Sequence, residues 1–425
     1  MSKNNKNWFS EVRYGLVIHY GLYSLLERGE WAWNREEISR DEYKALANRF
    51  TAENFDADRL CRLAVDAGMR YVVFTTMHHE GFRLYPTKLS DFHIGESAAK
   101  GRDLVAEIIA AARKRGLKVG LYHSLNNWYD QPDAVAALED RVAYTAFIQA
   151  THERIRELVT RYNPIDILWY DGWWPFNGEK WQAEKMNGMV RDVQPHILFN
   201  GRNGLPGDFA TPEQHLGAPR PWRPWEACMT LNNSWGYHAG DHDWKSAAQV
   251  IDLLAACAQG IGNLLLNVGP RGDGSIPEES VRILETAGDW LKRHGECIFD
   301  TEPFTYDLQE RGDHRGDWNF HGPMTVRGNT LYWLLRRWPG ETAILGGLEC
   351  EVQRASFVGS GGQISFSQTA GRLMLTGLPA NPPDAVCPVI CLECDRPPTM
   401  YLSGGLRVPA VPHPHYDPCP SDIEH

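Results

Sequence analysis

The chain has 425 residues, 43% hydrophobic and 23% charged, and Trp is unusually frequent at 16. That balance supports a large core and excludes a disordered or collagen-like polymer and a short stapled scaffold. Basic residues number 43 against 54 acidic, a formal charge of −11 without a Lys/Arg run, which argues against nucleic acid or an anionic membrane as a partner held by bulk electrostatics.

The amino-terminal MSKNNKNWFSEVRYG lacks the apolar stretch of an export signal, and no run approaches the roughly 18 apolar residues of a membrane span. A soluble, cytoplasmic protein is therefore expected. Six short β-branched or aromatic runs follow one another: YGLVIHY, RYVVFTT, KVGLYHS, DILWYDG, HILFNG and NLLLNVG. Between them lie stretches with helical spacing. Phe55 to Met69 carries Leu60, Leu63, Ala64 and Ala67 on one face, and Asp103 to Arg115 carries Leu104, Ile108 and Ala111, with Asp103 as cap and Gly116 as stop. Further helices are expected at 133–162, 181–193, 246–261 and 279–294. This alternation predicts a parallel sheet. No G-x-G-x-x-G follows the first strand, and nearly every strand ends in a polar side chain: His19, His78 and His79, His123, Asp171, Asn200 and Asn267. Strand ends that converge on one mouth are the property of a (β/α)8-like, TIM-type barrel, expected here over 1–299. From 300 to 405 the runs PMTVRG, TLYWLLRRW, GQISFSQ, GRLMLTGL and CPVICLECD predict a carboxy-terminal antiparallel β-sandwich, and 406–425 is a Pro-rich tail.

Nine scattered cysteines, an odd number, fit free thiols better than a disulfide framework. Cys387, Cys391 and Cys394 suggest a zinc half-site, but no second cluster follows and the segment reads as a strand. Asp171 stands out because it closes the apolar run ILWY, where a carboxylate is costly unless donors surround it. His19, His78, His79 and Arg202 are such donors. Glycosidic chemistry needs a second carboxylate, and Asp208, Glu213 and Glu226 lie in the loop-like, Pro-rich and aromatic segments GDFATPEQH and PWEACMTLNNSWGY. A metal-dependent barrel hydrolase is the competing reading, against which His78 and His79 are adjacent and would point to opposite sides of a regular strand. A carbohydrate-binding relative without turnover is a third.

Taken together, WFSEVRYGLVIHYGLYS, GEWAWN, MHHEGFRLYPTKLSDF, RDLVAEIIAAARKRGLKVGLYHSL, DILWYDG, GDFATPEQ, WEACMTLNNSWGY and NLLLNVGPRGDGSIP make the chain resemble the family 29 α-L-fucosidases from about Trp8 to Thr305. The resemblance implies a somewhat irregular barrel, a β-sandwich, and retaining exo-hydrolysis of a small carbohydrate with no metal and no cofactor. It makes Asp171 the nucleophile and assigns sugar contacts to His19, Glu30, Trp31, His78, His79, Tyr122, Trp169, Arg202 and Trp235. Trp235 is expected to face the C5 methyl. The acid/base varies in position among members; Glu213 of TPEQ is preferred to Glu226. IHYG and LYHS replace the commoner IHWG and LYYS, which leaves His123 and Tyr20 without an assigned role. α-L-Galactosides and α-L-glucosides remain alternative substrates, and oligomeric state is not legible.

Overall fold

The computed structural model describes residues 8–130, 136–219, 223–304, 322–369 and 372–399. Seven parallel strands form one curled sheet: β1 (Tyr14–Ile18), β2 (Tyr71–Met77), β3 (Lys118–Ser124), β4 (Ile167–Asp171), β5 (Leu198–Phe199), β6 (Glu226–Met229) and β7 (Asn263–Val268), in spatial order β5-β4-β3-β2-β1-β7-β6. Residues 209–213 run between the two outer strands. Phe209 bridges Asn200 just beyond β5, while Ala210 and Glu213 bridge Trp225 and Cys228, all in parallel sense. The barrel thus has an eighth, irregular stave.

Side-chain alternation sorts the strands into two faces. Val17, Tyr71, Val73, Tyr122, Ile167, Trp169, Leu198, Phe209, Cys228 and Leu265 form one cluster inside the barrel, joined by Phe9 and Val12 from the segment before β1. Gly15 on β1 admits this packing, because a Cβ there would overlap the Tyr71 ring. The intervening residues, among them Leu16, Val72, Leu121, Leu168 and Leu266, pack outward into a larger cluster with the helices.

Those helices are α1 (Ala57–Asp66), α2 (Leu104–Lys114), α3 (Arg141–Arg161), α4 (Ala183–Val193), α5 (Ala247–Gln259) and α6 (Glu278–His294). Asp103 caps α2 as expected, accepting from the Ala106 N–H, and Ser246 with Gln249 forms a capping box on α5. The single helix expected at 133–162 is divided, because the Asp140 side chain accepts from Val142 and Ala143 N–H groups and starts α3 afresh; residues 131–135 lie outside the described residues. Among the described residues no helix follows β5 or the irregular stave, and none is long and apolar enough to cross a membrane.

The remaining strands are β8 (Glu302–Pro303), β9 (Met324–Arg327), β10 (Thr330–Leu334), β11 (Thr342–Gly346), β12 (Val352–Phe357), β13 (Ser365–Thr369), β14 (Arg372–Thr376) and β15 (Val389–Cys394). They make a five-stranded sheet, β12-β15-β10-β9-β8, and a three-stranded sheet, β11-β14-β13, antiparallel throughout and sharing their own apolar core. Cys391 and Cys394 lie on β15 as unpaired thiols. The Pro-rich tail expected at 406–425 lies outside the described residues, as does Cys419. This unit is anchored to the barrel helices: Trp290 Nε1 donates to the Cys387 carbonyl at 2.8 Å, the Met324 N–H to Gln259 Oε1 at 3.0 Å, and Arg293 pairs with Asp384 at 2.7 Å.

Candidate active site

The carboxyl-terminal strand ends open into a cavity of about 600 Å³, its mouth included. His19 follows β1, and Glu30 and Trp31 come from the long connection behind it. His78 and His79 follow β2, Tyr122 belongs to β3, Trp169 and Asp171 to β4. Arg202 follows β5, Glu213 ends the irregular stave, and Trp235 follows β6. Every residue expected at the site lines this cavity, together with Val17, Trp174, Cys228 and Leu265, which sequence reasoning did not select. Val17, Cys228 and Leu265 could have been found by inward strand parity. Trp174 carries no periodic signal.

Two expectations are corrected. His78 and His79 were expected to face opposite ways, but β2 ends at Met77 after a register shift, so strict alternation does not reach them; their rings lie 4.1 Å apart and both face the cavity. The TPE and PWE segments, expected as mouth loops, are instead bonded to each other as stave and strand, the Cys228 N–H donating to the Pro212 carbonyl at 3.0 Å. The three candidate carboxylates also separate. Asp208 accepts from the Phe199 N–H and pairs with Arg191, tying β5 to α4, and Glu226 lies below the cavity. Only Glu213 of the three lines the cavity.

Parity also settles where the two unassigned residues sit. Tyr122 points inward, so His123 points outward, where its Nδ1 meets Thr76 Oγ1 at 2.8 Å. Tyr20 stacks on Phe55 at 5.4 Å and donates to the Gly272 carbonyl. Neither lines the cavity.

Asp171 is 8% exposed. Burial alone would raise its pKa, but the Arg202 guanidinium, His79, the Tyr122 hydroxyl and the Gly172 N–H outweigh that and hold the carboxyl below its ordinary value. The distances are 3.2 Å from Arg202 Nη1 to Oδ1 and 2.7 Å from Tyr122 Oη to Oδ2. Gly172 has φ +64°, and a Cβ there would overlap Ser124 Oγ, so the residue after the carboxylate must be Gly. Arg202 Nη2 lies 2.7 Å from Glu213 Oε2, and the guanidinium stacks 4.7 Å from the Trp169 ring.

Burial pushes the histidines down, His19 to about 4 and His78 and His79 below the ordinary imidazole value. All three are therefore neutral near pH 7, able to donate and accept. Asn267 Nδ2 donates to the Trp235 carbonyl, which leaves its Oδ1 to accept from His19 Nδ1 at 2.7 Å and turns His19 Nε2 into an acceptor. Glu30 is raised by burial, although its Oε2 accepts from the Gly236 N–H at 2.8 Å. A cavity that sets neutral imidazoles and three carboxyl groups against Trp31, Trp174 and Trp235 suits a hydroxyl-rich ring with one apolar edge.

Glu226 is fully buried and accepts from Trp169 Nε1 at 2.6 Å and Tyr71 Oη at 2.7 Å, which uses both oxygens to fix the cavity floor. Burial pushes its pKa up to about 7, against 4.5 ordinarily. The folded chain thus holds this proton more tightly than the unfolded one. Stability from the group is greatest below pH 4.5 and declines by about 3 kcal/mol as the pH rises through 7. Glu226→Gln removes that decline. Between pH 4 and pH 8 the stability difference between variant and parent should move in the variant's favour by about that amount, measured by urea unfolding; a constant difference would refute the burial argument.

The sequence model of the Alpha-L-fucosidase family matches residues 1–296. The tissue alpha-L-fucosidase of Bos taurus is 28% identical over 411 residues, 89% of this chain and 86% of that protein. Alpha-L-fucosidase isoenzyme 1 from Paenibacillus thiaminolyticus superposes with a TM-score of 0.83 at 33% identity, over 92% of this chain and 99% of that one. A family 29 alpha-L-fucosidase from Bacteroides thetaiotaomicron, trapped as a covalent intermediate with 2-fluoro-fucosyl fluoride, superposes with a TM-score of 0.77 at 26% identity, over 92% of this chain and 95% of that one.

Proposed function

Because the chain belongs to the alpha-L-fucosidase family, it is a glycoside hydrolase that removes α-L-fucosyl groups with retention of configuration, and we propose that Asp171 is its nucleophile and Glu213 its acid/base. The observation that carries these roles is that one guanidinium, Arg202, holds both carboxylates in a single cavity. Asp171 lies deep and ionised, as a group that attacks the anomeric carbon must be. Glu213, with its side chain 41% exposed, is nearer the mouth in this reading, the side from which a leaving group would depart. Double displacement follows: Asp171 forms a glycosyl ester while Glu213 protonates the departing oxygen, then Glu213 takes a proton from the water that opens the ester.

The substrates proposed are small oligosaccharides or glycosides that present a terminal fucose. His19, His78, His79, Glu30 and the Trp31 indole N–H serve the ring hydroxyls in this reading, and Trp235, its ring 5.1 Å from His19, faces the C5 methyl. A panel of aryl α-L-fucoside, α-L-galactoside and α-L-glucoside tests the choice of sugar. The galactoside, which only adds a C6 hydroxyl against an apolar wall, should be about 10- to 200-fold poorer in kcat/KM. The glucoside, inverted at C4, should be rejected more severely, because the groups that bond the axial hydroxyl would be left unpaired. Preference for either would remove fucose as the sugar and leave the two-carboxylate chemistry standing.

A further inference from the structure

The cavity poses a charge problem. Among the described residues that line the cavity, Arg202 is the one Arg or Lys, set against the carboxyl groups of Asp171, Glu213 and Glu30, of which Glu30 is raised by burial; His79 and Cys228 also face Glu213. His79 is lowered and Cys228 raised by burial, so neither brings charge near neutrality. An acid must carry a proton, yet Glu213 is seated on a guanidinium. Arg202 itself has little freedom to leave: its Nε donates to Thr211 Oγ1 at 3.1 Å, its Nη2 to the Thr211 carbonyl at 3.3 Å, and Trp169 covers its face.

We propose that Arg202 is a fixed counter-ion used by the two carboxylates in turn, pairing with Asp171 before the sugar is attached and with Glu213 once Asp171 has become an ester. The proposal rests on the roles assigned to Asp171 and Glu213 above. The acid role requires one proton on Glu213 before reaction, and with Asp171 ionised the trio is then neutral. In the first step an Asp171 oxygen bonds to the anomeric carbon, the bond from that carbon to the leaving oxygen breaks, and the Glu213 proton passes to that oxygen. Asp171 is then an uncharged ester, Glu213 a carboxylate, and the trio is neutral again. In the second step the water oxygen bonds to the same carbon, its proton passes to Glu213, and the ester bond breaks to return an electron pair to Asp171. Neutrality is restored. At neither step is the partly buried cation unopposed or set against both Asp171 and Glu213 as anions, arrangements that a site of lowered dielectric penalises. Arg202 acts here through the carboxylates and is a positioning residue for the proton.

The test uses Arg202→Gln and, to keep a cation without the fork, Arg202→Lys. With a dinitrophenyl α-L-fucoside, stopped-flow separates ester formation from ester hydrolysis. In Arg202→Gln the acid limb of the hydrolysis step and the alkaline limb of kcat/KM should both move up by about one pH unit or more, as loss of a neighbouring cation requires. Hydrolysis should slow by about 10²-fold, so that ester accumulates, and Arg202→Lys should return both limbs toward the parent. A rise in KM with both limbs unmoved would overturn the proposal in favour of a sugar contact. Equal loss in both steps with unmoved limbs would overturn it in favour of a structural brace. Labelling the parent with 2-fluoro-fucosyl fluoride checks the premise separately: label on the peptide containing Asp171 supports it, and label elsewhere removes premise and proposal together.

Discussion

Asp171→Gly is expected to lower turnover of an aryl α-L-fucoside by about 10⁴-fold or more, since the reaction loses the nucleophile proposed to form the glycosyl ester. The fold should survive. The carboxylate is a strand-end group whose removal leaves Gly172, Ser124 and the β4 pairings intact, and Arg202 keeps Glu213 as partner. The space left beside Tyr122 and Arg202 fits a small anion. Azide should therefore restore part of the activity by attacking from that face and give a glycosyl azide of inverted configuration. Product stereochemistry by NMR and the rate with and without azide are the measurements. Near-native turnover without azide would reject Asp171 as nucleophile.

Glu213→Ala should divide substrates by leaving group. A glycoside whose departing oxygen needs a proton is expected to lose about 10² to 10⁴ in kcat/KM, the usual contribution of general acid catalysis, whereas a dinitrophenyl fucoside, whose leaving group departs unaided, should lose little in that parameter. Ester hydrolysis also loses its base, so kcat for the dinitrophenyl substrate should fall and azide should raise it, this time with retained configuration. Glu226→Ala provides the contrast. It releases Trp169 and Tyr71 and should weaken all substrates by a similar factor. The opposite pattern, with leaving-group dependence in Glu226→Ala and none in Glu213→Ala, would exchange the two roles.

What could be read from the amino-acid order depended on how strongly each feature is coupled to a period. The strands β1 to β4 and β7 are buried on both faces and announce themselves as apolar runs, and α1 and α2 carry both a helical stripe and an Asp cap. Asp171 was legible because a charge after ILWY contradicts its surroundings. The stave at 209–213 was not, since Phe209 to Glu213 is too short for a period, contains Pro212, and owes its conformation to hydrogen bonds with residues 224–228 and not to local preference. The burial of Glu226 was hidden for the same reason: what makes its position an interior one is Tyr71 and Trp169, which lie 155 and 57 residues away. The shared face of His78 and His79 turns on where β2 stops, which a two-residue period does not report.

The stave without a helix has a consequence for how this site can change over evolutionary time. Asp171 is locked by pairing of β4 with a strand on each side and by helices α3 and α4 in the chain on either side of it, so an insertion near it would have to reseat a whole layer. Glu213 hangs on a few bridges, with no helix among the described residues between β5 and β6. Lengthening or shortening the chain at 214–219 would re-aim Glu213, the proposed proton donor, and leave Asp171 and Arg202 in place. The two proposed catalytic groups are therefore held under different constraints: Asp171 is fixed by paired, helix-flanked strands, while Glu213 rides on a short stave whose following chain can change length, and with it the kinds of leaving group served.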